Sequence, residues 1–212
     1  MPSTAGKIAL VKIGGTPTAF TDEAVDVLTT NKKYQITSAA KRIWSPTATV
    51  TVKAAGVGVD PVADPYVINR LTGVITFTNT TARGTVTVSG TYLPMSTIAK
   101  SKSITYDRMN EVLDDTTFDS LGHEENIPGI HSISASLGRN WETTYSTVFK
   151  NALLNGTLLV IQVFHDKDAA SDIAFWARPT KQAISIATRN IIGEDLTFRG
   201  ASDADLRTVS LI

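Results

Sequence analysis

Ile130-His131-Ser132-Ile133-Ser134-Ala135-Ser136-Leu137 alternates without a break. Ser132, Ser134 and Ser136 fall on one side with Ile130, and His131, Ile133, Ala135 and Leu137 fall on the other. A period of two is that of a strand, here with a nearly pure serine face and an apolar face. Pro128-Gly129 punctuates the chain before this run. Ahead of that, Arg108 to Ile127 is long, acidic and polar, and reads as a loop. A connection of that length in a compact domain is usually functional or ordered by a partner. After the run, Trp141, Tyr145, Val148, Phe149, Ala152 and Leu153 recur at helical spacing. A helix is therefore predicted over 142–154. Asn140 is the expected N-cap, Glu142 sits where the helix dipole favours an acid, and Asn155-Gly156 is the stop.

Further out, the pattern is that of strands. Lys7–Ile13, Lys33–Thr37, Thr47–Ala54, Gly84–Tyr92 and Ile98–Tyr106 read as β-structure. Tyr66–Ile68 and Val74–Phe77 flank Asn69-Arg-Leu-Thr-Gly73, a hairpin whose glycine can take positive φ. Glu23–Leu28 fits either period, and Ser38–Arg42 is at most one helical turn before Trp44-Ser-Pro46. Leu158–His165 is a continuous apolar strand covered on both faces. Ile173–Arg178, Gln182–Thr188 and Ile191–Arg199 complete a meander. The expected fold is mainly β, with about eleven strands and a single long helix. Leu93-Pro94-Met95 interrupts the pattern and divides a β-rich region, 1–95, from a second, 96–212.

Composition narrows the function. The 212 residues carry 20 Lys+Arg against 20 Asp+Glu, which argues against a strongly basic nucleic-acid clamp. The halves differ: residues 1–96 hold nine bases and five acids, or +4, and residues 97–212 hold eleven and fifteen, or −4. Complementary faces of a self-assembling protein would have this asymmetry, and so would chance. Charged residues are only 19%, their place taken by Thr and Ser, which suits pleated sheet and surfaces that meet other protein. Cysteine is absent, so disulfides, thiolate metal sites and a Cys nucleophile are excluded. The start lacks the basic and apolar regions of a signal peptide, and no apolar run approaches the ~18 residues that span a bilayer.

The chemical motifs are weak. Ser38-Ala-Ala-Lys41 fits Ser-x-x-Lys, but its companion motifs are missing, so a turn with a solvated lysine is preferred. Asp114, Asp115, Asp119, His123, Glu124 and Glu125 crowd one segment, without the spacing of a calcium loop; a solvated or partner-facing surface is preferred to a metal site. His165, Asp166 and Asp168 read as a capped turn rather than a catalytic group. Lys32-Lys33 beside Tyr34, and Lys41-Arg42 beside Trp44, are too short for a nucleic-acid patch. Neither a cofactor nor an enzymatic activity is expected.

Val112-Leu-Asp-Asp-Thr-Thr-Phe-Asp119, then Ile127-Pro-Gly-Ile-His-Ser-Ile-Ser-Ala-Ser136, then a helix, an apolar strand and a closing Asp195-Leu-Thr-Phe-Arg-Gly200 follow one another in a telling order. In that order the region from roughly 98 to 200 resembles the tail tube (major tail) proteins of long, non-contractile-tailed bacteriophages. The resemblance implies a β-sandwich with one flanking α-helix, contributing strands to an inner β-barrel of a hexameric ring. It further implies rings that stack into a tube and a virion-tail protein assembled in the host cytoplasm. The implied partners are further copies of the chain, a tape-measure protein in the lumen, tail terminator and distal tail proteins at the ends, and DNA in passage, without membrane insertion. Asp114, Asp115, Phe118, Asp119, Glu124 and Glu125 would then contact the neighbouring ring. Ser132, Ser134 and Ser136 are expected to face the lumen, beside Gln182–Thr188 or Ile98–Tyr106, the alternative being a serine face on the outside of the tube. Trp141, Tyr145, Phe149 and Leu153 are expected to pack the helix on the sandwich. The 95 residues before the matching region depart from the family; they are either woven into the sandwich or a separate module. The alternative is a β-sandwich adhesion or decoration module of a virion.

Overall fold

The computed structural model describes residues 10–114, 126–164, 173–186, 191–205 and 209–211; for 110–114, 126–131 and 209–211 it describes the backbone alone. In chain order the elements are β1 (Leu10–Gly14), β2 (Thr18–Thr29), β3 (Lys33–Ile36), a 3-10 turn (Ala39–Lys41), β4 (Thr51–Ala54), β5 (Val57–Gly58), β6 (Tyr66–Asn69), β7 (Val74–Phe77), β8 (Val86–Tyr92) and β9 (Met95–Thr97). Then come β10 (Ser101–Asp114), β11 (Asn126–Asn140), α1 (Thr143–Asn155), β12 (Leu159–Phe164), β13 (Ile173–Ser185), β14 (Gly193–Gly200) and β15 (Val209–Leu211). The fold is mainly β with one α-helix among the described residues. The chain forms two units: one from residues 1–99, 158–176 and 201–212, the other from 100–157 and 177–200.

In the first unit a curled sheet has the order β5-β4-β8-β2-β3-β7-β6. Its pivot is β2, which pairs with β8 through Thr18–Ala24 and with β3 through Val25–Thr29. A register shift between Phe20 and Glu23, with Asp22 at φ 47°, bends the strand there. The bend lets Val52, Val86 and Val88 from one half pack in the same core as Tyr34, Ile36, Ile75 and Phe77 from the other. Trp44 is fully buried in that core, and its indole N–H donates to the Lys41 carbonyl at 2.8 Å. The predicted β6–β7 hairpin is present, and Gly73 has φ +62°. A Cβ at position 73 would lie 2.8 Å from Ile36 Cγ2 and 2.9 Å from the Arg42 carbonyl oxygen, so no other residue fits.

The same unit contains β1 between β9 and β12, and a second core of Ile43, Leu71, Leu93, Val160, Ala174 and Trp176. Every residue of β12 is buried, Gln162 included, as a sequence apolar at all the remaining positions suggests. Residues 201–205 are stitched to this unit by specific polar contacts. Arg70, 6% exposed, pairs through Nε with Asp205 Oδ2 at 2.6 Å and donates through Nη1 to the Ser45 and Ala48 carbonyls. The Trp176 indole donates to Asp203 at 3.1 Å.

The second unit is an antiparallel sheet, β10-β11-β14 and the 177–185 part of β13, with α1. Three sequence expectations change here. Arg108–Ile127 is not a loop throughout: β10 runs to Asp114 and pairs with β11 through Val112↔Pro128, Leu113↔Ile127 and Asp114↔Asn126. The sequence of this stretch carries no alternating apolar pattern, so only its pairing with β11 reveals the strand. Ile173–Arg178 and Gln182–Thr188 are not separate strands; β13 continues to Ser185 through a register shift at Pro179/Lys181, where the missing proline N–H is tolerated. The helix begins at Thr143 after Glu142, not after Asn140, and Glu142 makes no side-chain cap bond. Its end is as read: Gly156 takes φ 62°, in the left-handed region.

Candidate functional site: a sheet with one covered and one open face

The two faces of the β10-β11-β14-β13 sheet have opposite chemistry. On one, Ile133, Ala135 and Leu137 of β11 and Leu196 and Phe198 of β14 are buried. Helix α1 closes this face through Phe149, fully buried, whose ring meets Phe198 edge-on at 5.7 Å. Burying such a side chain contributes about 1.5–3 kcal/mol. Of the predicted stripe, Phe149 is therefore central, Trp141, Tyr145 and Leu153 are half-buried, and Val148 is exposed. Ser146 and Ala152 complete the buried side of the helix.

A polar cluster sits beneath the helix. Arg139 and Glu194 have fully buried side chains, with Nε 3.0 Å from Oε2. The guanidinium lies 5.4 Å from the Tyr145 ring and 5.9 Å from the Phe149 ring, and its Nε donates to the Asn140 carbonyl at 3.2 Å. Gln182 Nε2 donates to Glu194 Oε1 at 2.6 Å and to Ser146 Oγ at 3.0 Å, and the Trp141 indole donates to the same Oγ at 3.1 Å. Sequence reasoning missed this cluster. The signal was there: Arg139 follows Ile133, Ala135 and Leu137 in the buried phase of β11, and Glu194 precedes Leu196 and Phe198 in the buried phase of β14.

The other face is open. Ser132, Ser134 and Ser136 are all exposed. Residues directly opposite on antiparallel strands share a face. One cross-strand row is Asp107, Ser134, Arg199 and Arg178; the next is Thr105, Ser136, Thr197 and Lys181; a third is Ser103, Gly138, Asp195 and Ala183. Gly138 lets Ser103 approach: a Cβ there would lie 2.7 Å from Ser103 Oγ. The face is thus hydroxyl-rich with mixed charge, a mixture the serine pattern alone did not reveal. Beside the serine strand lie β10 and β14; the residues of Gln182–Thr188 that fall in β13 are one strand further on. β10 ends this order, with no strand on its outer side among the described residues. At 14 residues it is a long edge, the kind of edge that recruits another strand.

The remaining sequence candidates are dispersed. Asp115, Phe118, Asp119, Glu124 and Glu125 lie outside the described residues, as do His165, Asp166 and Asp168; of Asp114 only the backbone is described. Lys41 is not simply solvated: its ammonium pairs with Glu23, while Ser38 makes no side-chain cap. Among the described residues no helix is long and apolar enough to cross a membrane.

Solved structures that overlap part of the chain include two of gene transfer agent particles. One is the tail of an empty gene transfer agent (GTA) particle, with C6 symmetry, at 17% identity and TM-score 0.47, covering 56% of this chain and 87% of the other. The second is the virion of a native GTA particle, at 17% identity and TM-score 0.46, covering 56% and 88%. A partial likeness of that strength assigns neither a shared fold nor a function. No family model and no curated protein matches the sequence.

Proposed function

We propose that this chain is a structural virion protein, the tail tube subunit of a long, non-contractile phage tail, and not an enzyme. The observation that carries the reading is the half-covered sheet of the second unit. One face is sealed by α1, the other is polar and open, and the sheet ends on the long edge of β10. A strand edge that pairs with a neighbouring copy loses its exposure, and closure into a barrel removes edges altogether. Six copies contributing four strands each would give a barrel of 24 strands. At ~4.8 Å per strand the backbone wall is about 37 Å across before strand tilt widens it. Less about 5 Å of side chain on each side, the bore is roughly 27 Å, wide enough for a DNA duplex.

In this reading the serine face lines the bore, where short hydroxyl side chains hold water and give DNA few points of attachment. The bases Arg178, Lys181 and Arg199 are offset by Asp107 and Asp195 on the same face, which limits the salt-dependent attraction that phosphate contacts produce. Contacts within a ring close, and contacts along the axis do not, so a tube grows. The tape-measure protein would occupy the lumen first, and terminator and distal proteins would finish the ends.

The test is negative-stain microscopy of the purified chain over a range of concentrations. Tubes or stacked rings with an axial hole are expected at high concentration. Stable monomers throughout would favour the decoration-module reading, for which the separately cored first unit is the natural candidate.

A further inference from the structure

A cleft of about 560 Å³ opens in the first unit, well away in sequence from the serine strand. Its walls include Lys12, Arg42, Gln35, Gln162, Tyr92 and Phe164. Its charge distinguishes it from a packing defect. Among the described residues no carboxylate lines it: the charged residues are both cations, and neither has an acidic partner there. Lys12 Nζ lies 4.9 Å over the Phe164 ring, and Arg42 donates through Nε alone, to the Ile36 carbonyl at 3.4 Å. Its wall is partly polar: Gln162, opposite Lys12 in the β1–β12 register, and Gln35 contribute amides beside the Tyr92 and Phe164 rings.

Size, charge and wall define that ligand: an anion carrying an apolar or aromatic group. The chain itself contains such a sequence. Asp114-Asp-Thr-Thr-Phe-Asp-Ser-Leu-Gly-His-Glu-Glu125 holds five carboxylates and one phenyl ring, with no Lys or Arg. The flanking residues 1–9 bring Lys7 and no acid, so they do not complement the cleft. We infer that the Lys12/Arg42 cleft is the socket for the acidic 114–125 segment of a second copy of this chain. This rests on the self-assembly reading, because a contact that repeats along a filament needs two unlike patches on each subunit. It also gives a physical content to the +4 and −4 halves of the sequence.

The probe is a synthetic peptide of residues 112–127, titrated into the full-length chain below its assembly concentration. Saturable binding that weakens with added salt is expected. Lys12→Glu/Arg42→Glu should weaken it at least tenfold, and a peptide with Asp114, Asp115 and Asp119 changed to Lys should bind that variant better than it binds the parent. Ala40→Trp, which narrows the cleft without altering charge, should also weaken binding and serves if the charge reversals disturb folding. Absence of peptide binding, or equal binding by the parent, the Glu variants and Ala40→Trp, overturns the inference. That includes the case in which this chain's own residues 165–172 fill the cleft. Tubes of normal length from Lys12→Glu/Arg42→Glu would also overturn it while leaving the tube reading intact. Absence of tubes from the parent chain, with the peptide still bound, would overturn the tube reading instead.

Discussion

Arg139 and Glu194 offer the sharpest energetic test of how α1 is held to its sheet. Both side chains are 0% exposed, so each charge has lost its water. Removing one partner of such a pair leaves the other buried and uncompensated, at a cost of about 3–5 kcal/mol. Glu194→Gln strands the guanidinium with the Asn140 and Glu142 carbonyls, two aromatic faces and a Glu142 carboxylate oxygen 3.9 Å away, beyond hydrogen-bond distance. It should fall within that range. Arg139→Met leaves Glu194 with the Gln182 amide at 2.6 Å, one good donor, and should cost about 3 kcal/mol, the lower end. Replacing both, as Arg139→Met/Glu194→Leu, removes the desolvation penalty with the attraction. The double variant should lie within about 1 kcal/mol of the parent or be more stable. Urea unfolding of the unassembled subunit, followed by tryptophan fluorescence, measures all four corners of the cycle. Single-variant losses below about 1 kcal/mol that simply add in the double variant would refute the claim that this pair is a desolvated, coupled unit.

Three further outcomes follow from the same structure. Phe149→Ala should destabilise the subunit by about 3–5 kcal/mol, read by the same unfolding assay; a loss under about 1 kcal/mol would show that the helix is not anchored there. Asp64 receives both arms of the Arg83 fork, at 2.6 and 2.7 Å, and this holds its carboxyl below the ordinary 3.8. Its contribution is therefore complete above the ordinary carboxyl value and is lost as pH falls through the lower folded value, so Asp64→Asn should flatten the acid limb of stability against pH. An unchanged acid limb would exclude the pair as a source of acid sensitivity. Deleting Asp115–Glu125 should leave a folded, soluble subunit that forms no tubes, and normal tubes from that variant by electron microscopy would remove the segment from assembly.

The legible parts of this fold were those where burial imposes a period. Ile133, Ala135 and Leu137 alternate with exposed serines and name both faces of β11. Val160, Ile161 and Val163 announce a strand covered on each side. β2 was ambiguous because Val27 and Leu28 are apolar yet 59% and 49% exposed, so hydrophobicity there does not report the core. The 107–114 part of β10 was illegible since its sequence has no alternating apolar pattern, and the pairing with β11 that makes it a strand is encoded in neither strand alone. Pro179 split β13 in the sequence because a proline inside a strand usually marks its end; a register shift accommodates it instead. For the candidate site, the serine face could be read directly. The buried ion pair could have been read by phase, and the Arg178, Lys181 and Arg199 side of that face depended on register, which no single strand encodes.

The central claim is that the open face of the β10-β11-β14-β13 sheet becomes the inner wall of a tube. A cryo-electron microscopy map of the assembled protein tests it directly. The account predicts six subunits per ring, the β10 edge paired to a neighbouring copy, and Ser132, Ser134 and Ser136 pointing at the axial channel. A map that places these serines on the outer wall, or that leaves the β10 edge unpaired in the assembly, would contradict it.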